Sequence, residues 1–337
     1  MTVGTRPRTH RAHTRAQATG AASAILRPVL ESPRRPARVL AAFPAGVYLE
    51  VRAELEPHVV AVVTGEATRL PNAVVLNAPL PRVTVGDEAS VGDGSIEVGH
   101  LSLRAHRWWN PAPPLGPVDP VRLAHVLPQL TELCDRSARR PGLEGNGAVA
   151  LLAEACAEAS LLNGIMASEQ LVGLGPGLTP SGDDVLAGLL VALRHLGAAA
   201  GVERAVWLAD WLAAAVTFDA RSRTTPISAT LLHCAARGEA SGEVLAVLRG
   251  LAGRQDLEPA LRRLLGLGHT SGADLACGMR IGLAAVAGLA GQSAGARGRS
   301  SRAASSRAVS SRAASPRGGT GRRGSRRGEG DHEGEGR

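Results

Sequence analysis

Apolar positions follow two different periods along the chain. From residue 37 to residue 105, short runs rich in valine and leucine alternate with turns of glycine, proline, asparagine and aspartate. This alternation predicts a β-rich unit of about five to seven short strands, folded as a barrel or a sandwich. The candidate strands are residues 47–51, 59–63, 73–76, 82–85, 95–98 and 101–103.

From residue 121 to residue 292 the apolar period becomes helical, and the composition is dominated by alanine and leucine. The pattern predicts about seven helices. Residues 106–120, which contain Trp108, Trp109 and the string PAPPLGP, are typical of a linker between the two units. The sequence thus predicts an α+β fold, with a β-rich domain at 37–105 and a helical domain at 121–292.

Both ends of the chain are rich in arginine. The chain has 38 basic residues and a net charge of +8, and every one of the basic residues is arginine. Residues 1–36 and 293–337 lack apolar periodicity, so we expect both segments to be disordered. The C-terminal segment can contact nucleic acid or an acidic partner through charge alone, or it can be a solvated extension; without aromatic residues it offers no platform for base stacking.

Several classes of chemistry are disfavoured by the residues that the chain lacks. Without lysine there is no Schiff base and no Walker-type phosphate lysine. The four cysteines are widely spaced and form no zinc motif, so packed thiols are the simpler interpretation. The apolar stretches at 185–200 and 281–290 are interrupted by charge or too short to span a bilayer, and we expect a cytoplasmic protein with no membrane contact.

A glycine-rich segment, VGLGPGLTPSGDDVLAGLL at residues 172–190, is the strongest candidate for chemistry. Its glycines suit a turn with positive φ, and the helix that follows suits an anion at its N-terminus. Ser181 with Asp184 also resembles a capping box, which is a purely structural alternative. Capping leaves Asp183 unexplained, so Asp183 is the first candidate for a functional carboxylate, ahead of Asp184.

A second segment repeats part of this pattern about ninety residues later. The string GHTSGADLACG at 268–278 shares with the first the pattern Ser-Gly-x-Asp-x-x-x-Gly. Each copy precedes an apolar helix and places a glycine inside it, at Gly188 and Gly278. We expect these glycines to let the two helices approach closely, or to let a ligand lie against bare backbone. Two helix N-termini converging on one anion is the corresponding geometric prediction.

A third polar segment, RSRTTPISATLLH at 221–233, lies between the two copies. Thr225 or Ser228 is a candidate cap for a helix that has Pro226 in its first turn. Arg221 and Arg223 precede this helix, and their guanidinium groups match carboxylate or phosphate. They can also balance the charge of the paired aspartates, or they can be solvated surface charges.

The strings GLGPGLTPSGDDVLAGLL, TTPISATLL and GHTSGADLACG, in this order and spacing, resemble the signature of the AllH-type family. The resemblance covers roughly residues 37–290. Its named member is a subunit of a bacterial oxamate carbamoyltransferase from allantoin breakdown, which interconverts oxalurate plus phosphate with oxamate plus carbamoyl phosphate. The resemblance implies partner subunits of the AllG and FdrA types, and carbamoyl phosphate and an oxamate-like acid as substrates.

This resemblance suggests roles for individual residues. Asp183, Asp184 and His269 are the candidate catalytic residues: His269 for proton transfer, and the aspartates to orient the amide or to hold a divalent metal such as Mg²⁺. The candidate substrate- and anion-binding residues are Gly175, Gly177, Thr179, Ser181, Gly182, Arg221, Arg223, Thr225, Ser228, Thr270, Ser271, Gly272 and Asp274. Two alternatives stay open: a non-catalytic anion-binding or scaffold subunit, and a metal-assisted hydrolase that uses Asp183, Asp184, Asp274 and His269.

Overall fold

The computed structural model describes residues 16–53 and 56–313, and side chains as far as residue 292. Residues 16–109 form a closed barrel of eight strands, in the order β1-β5-β4-β3-β2-β6-β7-β8. The strands are β1 (Ala16–Ser23), β2 (Arg35–Phe43), β3 (Gly46–Val51), β4 (Val59–Thr64), β5 (Ala73–Leu76), β6 (Glu88–Gly92), β7 (Ser95–Val98) and β8 (Leu101–Trp109). The expected α+β architecture is confirmed, and its β unit is a barrel.

Parallel pairing between β1 and β8 closes the barrel, and β4 and β5 are also parallel, while the other neighbours are antiparallel. Alternate residues point inward, so Val39, Leu49 and Val62 lie in one apolar core. A short helix, α1 (Arg27–Leu30), contributes Val29 and Leu30 to this core. The barrel therefore has an interior filled by apolar side chains.

The N-terminal part of the barrel differs from the sequence-based expectation. Residues 1–36 were expected to be disordered, but β1 lies within them; residues 1–15 fall outside the described part of the chain. β1 has the sequence AQATGAAS, without the β-branched alternation that marks a strand, and its neighbours β5 and β8 determine its conformation through backbone pairing. The linker expected at 106–120 is likewise partly strand, because β8 continues to Trp109.

The strand expected at residues 82–85 is wrong, because these residues lie in a loop and turn before β6. The carboxylate of Asp87 accepts hydrogen bonds from the backbone N–H and the hydroxyl of Thr84, and Gly86 has a φ of +93°. This side-chain-stabilised turn prevents strand geometry, and pairing with β2 begins only at Glu88.

Ten helices follow the barrel in the described part of the chain, where the sequence predicted about seven. They are α2 (Pro120–Asp135), α3 (Gly147–Glu158), α4 (Leu161–Leu171), α5 (Ser181–Ala200), α6 (Glu203–Phe218), α7 (Ala220–Arg223), α8 (Pro226–Ala236), α9 (Gly242–Leu251), α10 (Leu257–Leu265) and α11 (Ser271–Ala313). Helix α11 continues to Ala313, within the segment 293–337 that was expected to be disordered. Residues 314–337 lie outside the described residues.

Helix α5 is the centre of the helical domain, with fourteen of its twenty residues buried. The initial segment of α11 packs against it, and Met279, Leu283 and Val286 are fully buried there. Residues Ser271–Gln292 are long and apolar enough to cross a membrane by length and composition. Of this segment, the apolar stretch noted from the sequence is only residues 281–290, which are too few to span a bilayer. Most of this segment is buried inside the fold, as expected for a core helix.

The barrel and the helical domain meet through apolar side chains. Ile227 and Leu231 of α8 pack with Val59 and Tyr48 on the outer face of β3 and β4. On α6, by contrast, Trp207 and Trp211 stack edge to face and are about half exposed, so they lie at the surface of the described fold.

Glycines at the crossing of α5 and α11 set the distance between these helices. A Cβ at Gly188 would overlap the carbonyl oxygen of Leu275, and a Cβ at Gly278 would overlap that of Val185. Gly188 of α5 thus packs on Leu275, four positions after the first residue of α11. Gly278 of α11 packs in the same way on Val185, four positions after the first residue of α5. The close approach predicted from the repeated motif is confirmed.

We expect Gly188→Ala and Gly278→Ala each to lower the free energy of unfolding by about 1–3 kcal/mol, because the helices must separate to admit the methyl group. Gly288→Ala is the matched control: Gly288 lies on α11, like Gly278, with nothing within 4 Å of its added Cβ. This control should be neutral or more stable by up to about 1 kcal/mol. Urea unfolding measures all three variants, and a loss in the control equal to that at the crossing would contradict the packing argument.

Candidate active site between the barrel and the helical domain

The crossing brings the start of the two motif helices together. The hydroxyl of Thr179 lies 3.1 Å from that of Ser271, and the hydroxyl of Ser181 lies 3.4 Å from that of Thr270. Ser181 is the first residue of α5, whereas its N-cap is Pro180, which makes no side-chain cap. The capping-box interpretation of Ser181 and Asp184 is therefore wrong, and both side chains instead face the second motif.

Asp183 is buried and its carboxylate is fully engaged. Its Oδ1 accepts a hydrogen bond from the backbone N–H of Gly173 at 2.8 Å. Its Oδ2 accepts from the hydroxyl of Ser228 at 2.7 Å and from the hydroxyl of Thr224. Asp183 thus joins the glycine-rich loop to the start of α8. These contacts explain its presence structurally, and they leave no carboxylate oxygen free for a substrate.

The third polar segment also supports the fold locally. Thr225 caps α8 by accepting from the backbone N–H of Ser228 at 3.1 Å, and its hydroxyl donates to the carbonyl of Leu178. The guanidinium of Arg223 donates to the carbonyl of Glu169 at the end of α4. Arg221 is exposed. Neither arginine lies among the residues that surround the motif hydroxyls.

The backbone donors at the two helix starts are already used. The N–H of Gly182 donates to the carbonyl of Leu174 at 2.9 Å, and that of Gly272 donates to the carbonyl of Leu267 at 3.1 Å. Gly175 and Gly177 lie in the exposed part of the loop with positive φ. An anion site built from the N–H groups of Gly182 and Gly272 is therefore not formed in this structure, because intrachain carbonyls occupy both donors.

A cavity of about 370 Å³ lies between the barrel and the helical domain, and the motif residues Thr179, Asp184 and Ser271 form part of its wall. Its apolar wall includes Tyr48 and Val63 from the barrel, together with aliphatic side chains of both domains. The full lining is Phe43, Ala45, Gly46, Tyr48, Val63, Ala67, Thr68, Leu70, Pro71, Thr179, Asp184, Ala187, Val191, Leu231, Ala235, Glu239, Ala240, Ser241, Val244, Leu267, Gly268, Ser271 and Leu275. A largely apolar cavity with a few convergent polar groups is the usual form of a small-molecule site.

Asp184 is the buried carboxyl group of this cavity. The residue is only 7 % exposed, and its Oδ2 has no hydrogen-bond partner among the described residues. Burial raises the pKa of Asp184 to about 7, against the opposing effect of hydrogen bonds from the hydroxyls of Ser271 and Thr179. Such a carboxyl group can donate or accept a proton near neutral pH.

Glu239 is a second carboxyl group in the cavity, and sequence reasoning missed it. It is 9 % exposed, and its Oε2 lacks a partner in the described part of the chain. Burial raises the pKa of Glu239, and the nearby guanidinium of Arg237 opposes this effect. It follows α8 in the sequence GEA, which has no feature that distinguishes it from a surface glutamate.

Asp274 lies behind the cavity wall. It is fully buried, and its Oδ1 accepts from the backbone N–H of Gly142 at 2.8 Å. Burial raises the pKa of Asp274, while hydrogen bonds from Ser181, Gly142 and Thr270 oppose this shift. Asp274 thus ties the loop before α3 to the crossing of α5 and α11.

The remaining predicted residues do not gather into a catalytic or metal site. His269 is exposed and absent from the cavity lining, and its carbonyl accepts from Arg139. Within residues 16–53 and 56–313, no group of three or more His, Cys, Asp or Glu side chains could hold a metal ion. The residues proposed for Mg²⁺ do not fit it, because Asp183 is fully hydrogen-bonded and points to α8 instead of the cavity.

We expect Asp183→Ala to lower the free energy of unfolding by about 3 kcal/mol, because it leaves buried donors from Gly173 and Ser228 without an acceptor. Asp183→Asn should lower the free energy of unfolding less, since the amide oxygen of asparagine can still accept one of these hydrogen bonds. Thermal and urea unfolding measure both variants. An alanine variant as stable as the parent protein would show that these hydrogen bonds contribute nothing to the fold.

The raised pKa of Asp184 predicts a dependence of stability on pH. The pKa of this aspartate is 3.8 in the unfolded chain and about 7 in the folded protein, so the folded state binds the additional proton between these values. The contribution of this group to stability is therefore complete below pH 3.8 and lost as pH rises towards 7.

Between pH 5 and pH 7 the loss should be about 2 kcal/mol. Asp184→Asn, which cannot ionise, should lack this part of the pH dependence. Urea unfolding of both proteins across this range measures the difference, and parallel stability curves would contradict a raised pKa.

The comparisons with known proteins agree with the motifs that form this site. A family model described as "Oxamate carbamoyltransferase subunit AllH" matches residues 171–283, which include α5, α8 and the start of α11. No solved structure matches the chain. The matched region contains Thr179, Asp184 and Ser271, which line the cavity. Residues 171–283 of the helical domain are therefore similar to the AllH subunit.

Proposed function

We propose that this chain is a subunit of an oxamate carbamoyltransferase-like complex and that the cavity between barrel and helical domain binds the amide end of its substrate. The observation that carries the proposal is the presence of Asp184 and Glu239 in one cavity, each with a buried oxygen that lacks a donor. A ligand that satisfies these oxygens must offer N–H or O–H groups. Primary amides such as oxamate and the carbamoyl group offer N–H donors.

The charged residues around the cavity indicate which end of the substrate points into it. Its described lining contains no arginine or histidine, and the chain has no lysine. Arg237 lies outside the lining and already pairs with Oε1 of Glu239 at 3.4 Å, so a carboxylate or phosphate placed against Asp184 would meet no further cation there. We infer that the amide end points inward, and that the anionic groups lie at the opening, where partner subunits of the AllG and FdrA types supply the cations.

Asp184 fits the proton transfer that carbamoyl transfer requires. In the proposed reaction the amide nitrogen of oxamate attacks the carbonyl carbon of carbamoyl phosphate, and the bond from this carbon to the phosphate oxygen breaks. The nitrogen loses a proton to the Asp184 carboxylate, and the proton leaves with the phosphate. Since its pKa lies near 7, Asp184 can accept and release this proton near neutral pH. Thr179 and Ser271 position the carboxyl group through their hydroxyls.

The test is carbamoyl transfer, or its reverse, by the complex reconstituted with this chain as the full-length subunit. Asp184→Asn should lower kcat by about 100-fold or more, which is the usual contribution of a general acid–base group. Glu132→Gln, in an exposed ion pair on α2, is the charge-matched control and should retain the rate. His269→Ala should also retain it, because His269 lies outside the cavity.

A second candidate function, a binding or scaffold subunit without a catalytic group, is favoured by the absence of any cation in the described lining. The same variants separate the two. Full turnover by a complex that contains Asp184→Asn would overturn the catalytic role and support the scaffold role. Loss of turnover in Asp184→Asn with unchanged assembly of the complex would support catalysis by this chain.

A further inference from the structure

A second cavity of about 330 Å³ lies on the other side of α11, apart from the proposed active site. It is enclosed by the end of α2, the loop at 139–146, the start of α3 and one face of α11. Its floor is apolar, with Val149, Ala153 and Ile281. No residue lines both cavities, because Ser271 and Leu275 of α11 face the first one whereas Ala273, Cys277 and Arg280 face the second.

Three guanidinium groups surround this second cavity. Arg139 and Arg140 come from the loop, and Arg280 comes from α11. Arg139 is tethered by donation to the carbonyl of His269 at 3.3 Å, and none of the three forms an ion pair within the described residues. The carboxylates of the lining are Asp135 and Glu144. The arginines therefore outnumber the acidic residues around this cavity.

The start of α3 adds to the positive potential. Asn146 caps this twelve-residue helix by accepting from the backbone N–H of Ala148, and Gly145, Asn146 and Val149 line the cavity. The partial positive charge at a helix N-terminus therefore lies beside the three guanidinium groups. Planar guanidinium forks match the oxygens of phosphate and carboxylate in geometry as well as in charge.

We propose that the cavity lined by Arg139, Arg140 and Arg280 binds a small oxyanion of the phosphate class. The proposal does not depend on the function proposed above, because it concerns a separate cavity and predicts binding to this chain alone. It differs from the anion site expected from the sequence, which was to be formed by the glycine motifs and by Arg221 and Arg223.

Two cysteine thiols in the cavity allow anion binding to be measured. Cys134 and Cys277 line the cavity and are partly accessible, whereas Cys156 and Cys234 are buried elsewhere in the helical domain. An oxyanion in the cavity should shield Cys134 and Cys277 from a neutral alkylating reagent such as iodoacetamide. The two buried thiols report unfolding in the same sample, so they serve as an internal control.

The experiment measures the alkylation rate of each cysteine in the full chain by mass spectrometry, with inorganic phosphate, with sulfate, and with chloride at equal ionic strength. If phosphate is present at about three times its Kd, alkylation of Cys277 should slow by about fourfold relative to chloride. Protection by sulfate as well would support a site for tetrahedral oxyanions. Equal rates in phosphate and chloride at every concentration tested would overturn the proposal.

Substitutions of the arginines test whether they cause the protection by phosphate. The exposed Arg140→Gln should weaken phosphate protection, and Arg140→Gln combined with Arg280→Gln should abolish it. Arg249→Gln on α9 removes one partly exposed guanidinium that is absent from the cavity lining, and it should leave protection unchanged. Because Arg280 contacts Cys277, the ratio of rates with and without phosphate is compared within each variant. Protection that persists in the double variant would overturn the assignment.

Discussion

The approach of α5 to α11 through Gly188 and Gly278 is the contact on which the site depends. Each glycine lies against a carbonyl oxygen of the other helix, so their backbones meet without intervening side chains. Only at this separation can Thr179 meet Ser271 and Ser181 meet Thr270. The same contact takes Asp184 out of water and raises its pKa to about 7. The repeated motif is thus a packing device that also buries a carboxyl group.

The periodicity of apolar residues predicted much of the fold, and the rest depends on contacts between residues that are distant in the sequence. Strands β3, β4, β5 and β7 contain valine-rich runs and were predicted within a few residues, whereas β1 has no such run and exists because β5 and β8 offer backbone partners. The glycines of the motifs predicted the helix crossing correctly. The choice of Asp183 over Asp184 followed from capping logic, which cannot reveal that Ser228 and Gly173 occupy Asp183. Glu239 became visible only once the barrel closed the cavity around it.

The first cavity has two carboxyl groups and no arginine or histidine in its described lining. Burial raises the pKa of both Asp184 and Glu239, and Arg237 opposes this effect at Glu239, with which it pairs at 3.4 Å. A protonated carboxyl group is a donor as well as an acceptor, which suits the amide groups of the proposed substrate. The family description names an oxamate carbamoyltransferase subunit, and a subunit implies an assembly of several chains. A reaction between two anions can use this cavity only if positive charge comes from outside its described lining.

Helix α11 separates these two kinds of recognition in space. Its face with Ser271 and Leu275 meets the cavity that contains Asp184 and Glu239, and its face with Cys277 and Arg280 meets the arginine-lined one. Asp274 lies between them, and its carboxylate holds Gly142 in the loop that carries Arg139 and Arg140. Because Ser181 also hydrogen-bonds to Asp274, this one buried carboxyl group joins the loop to the start of α5 and so connects the surroundings of the two cavities.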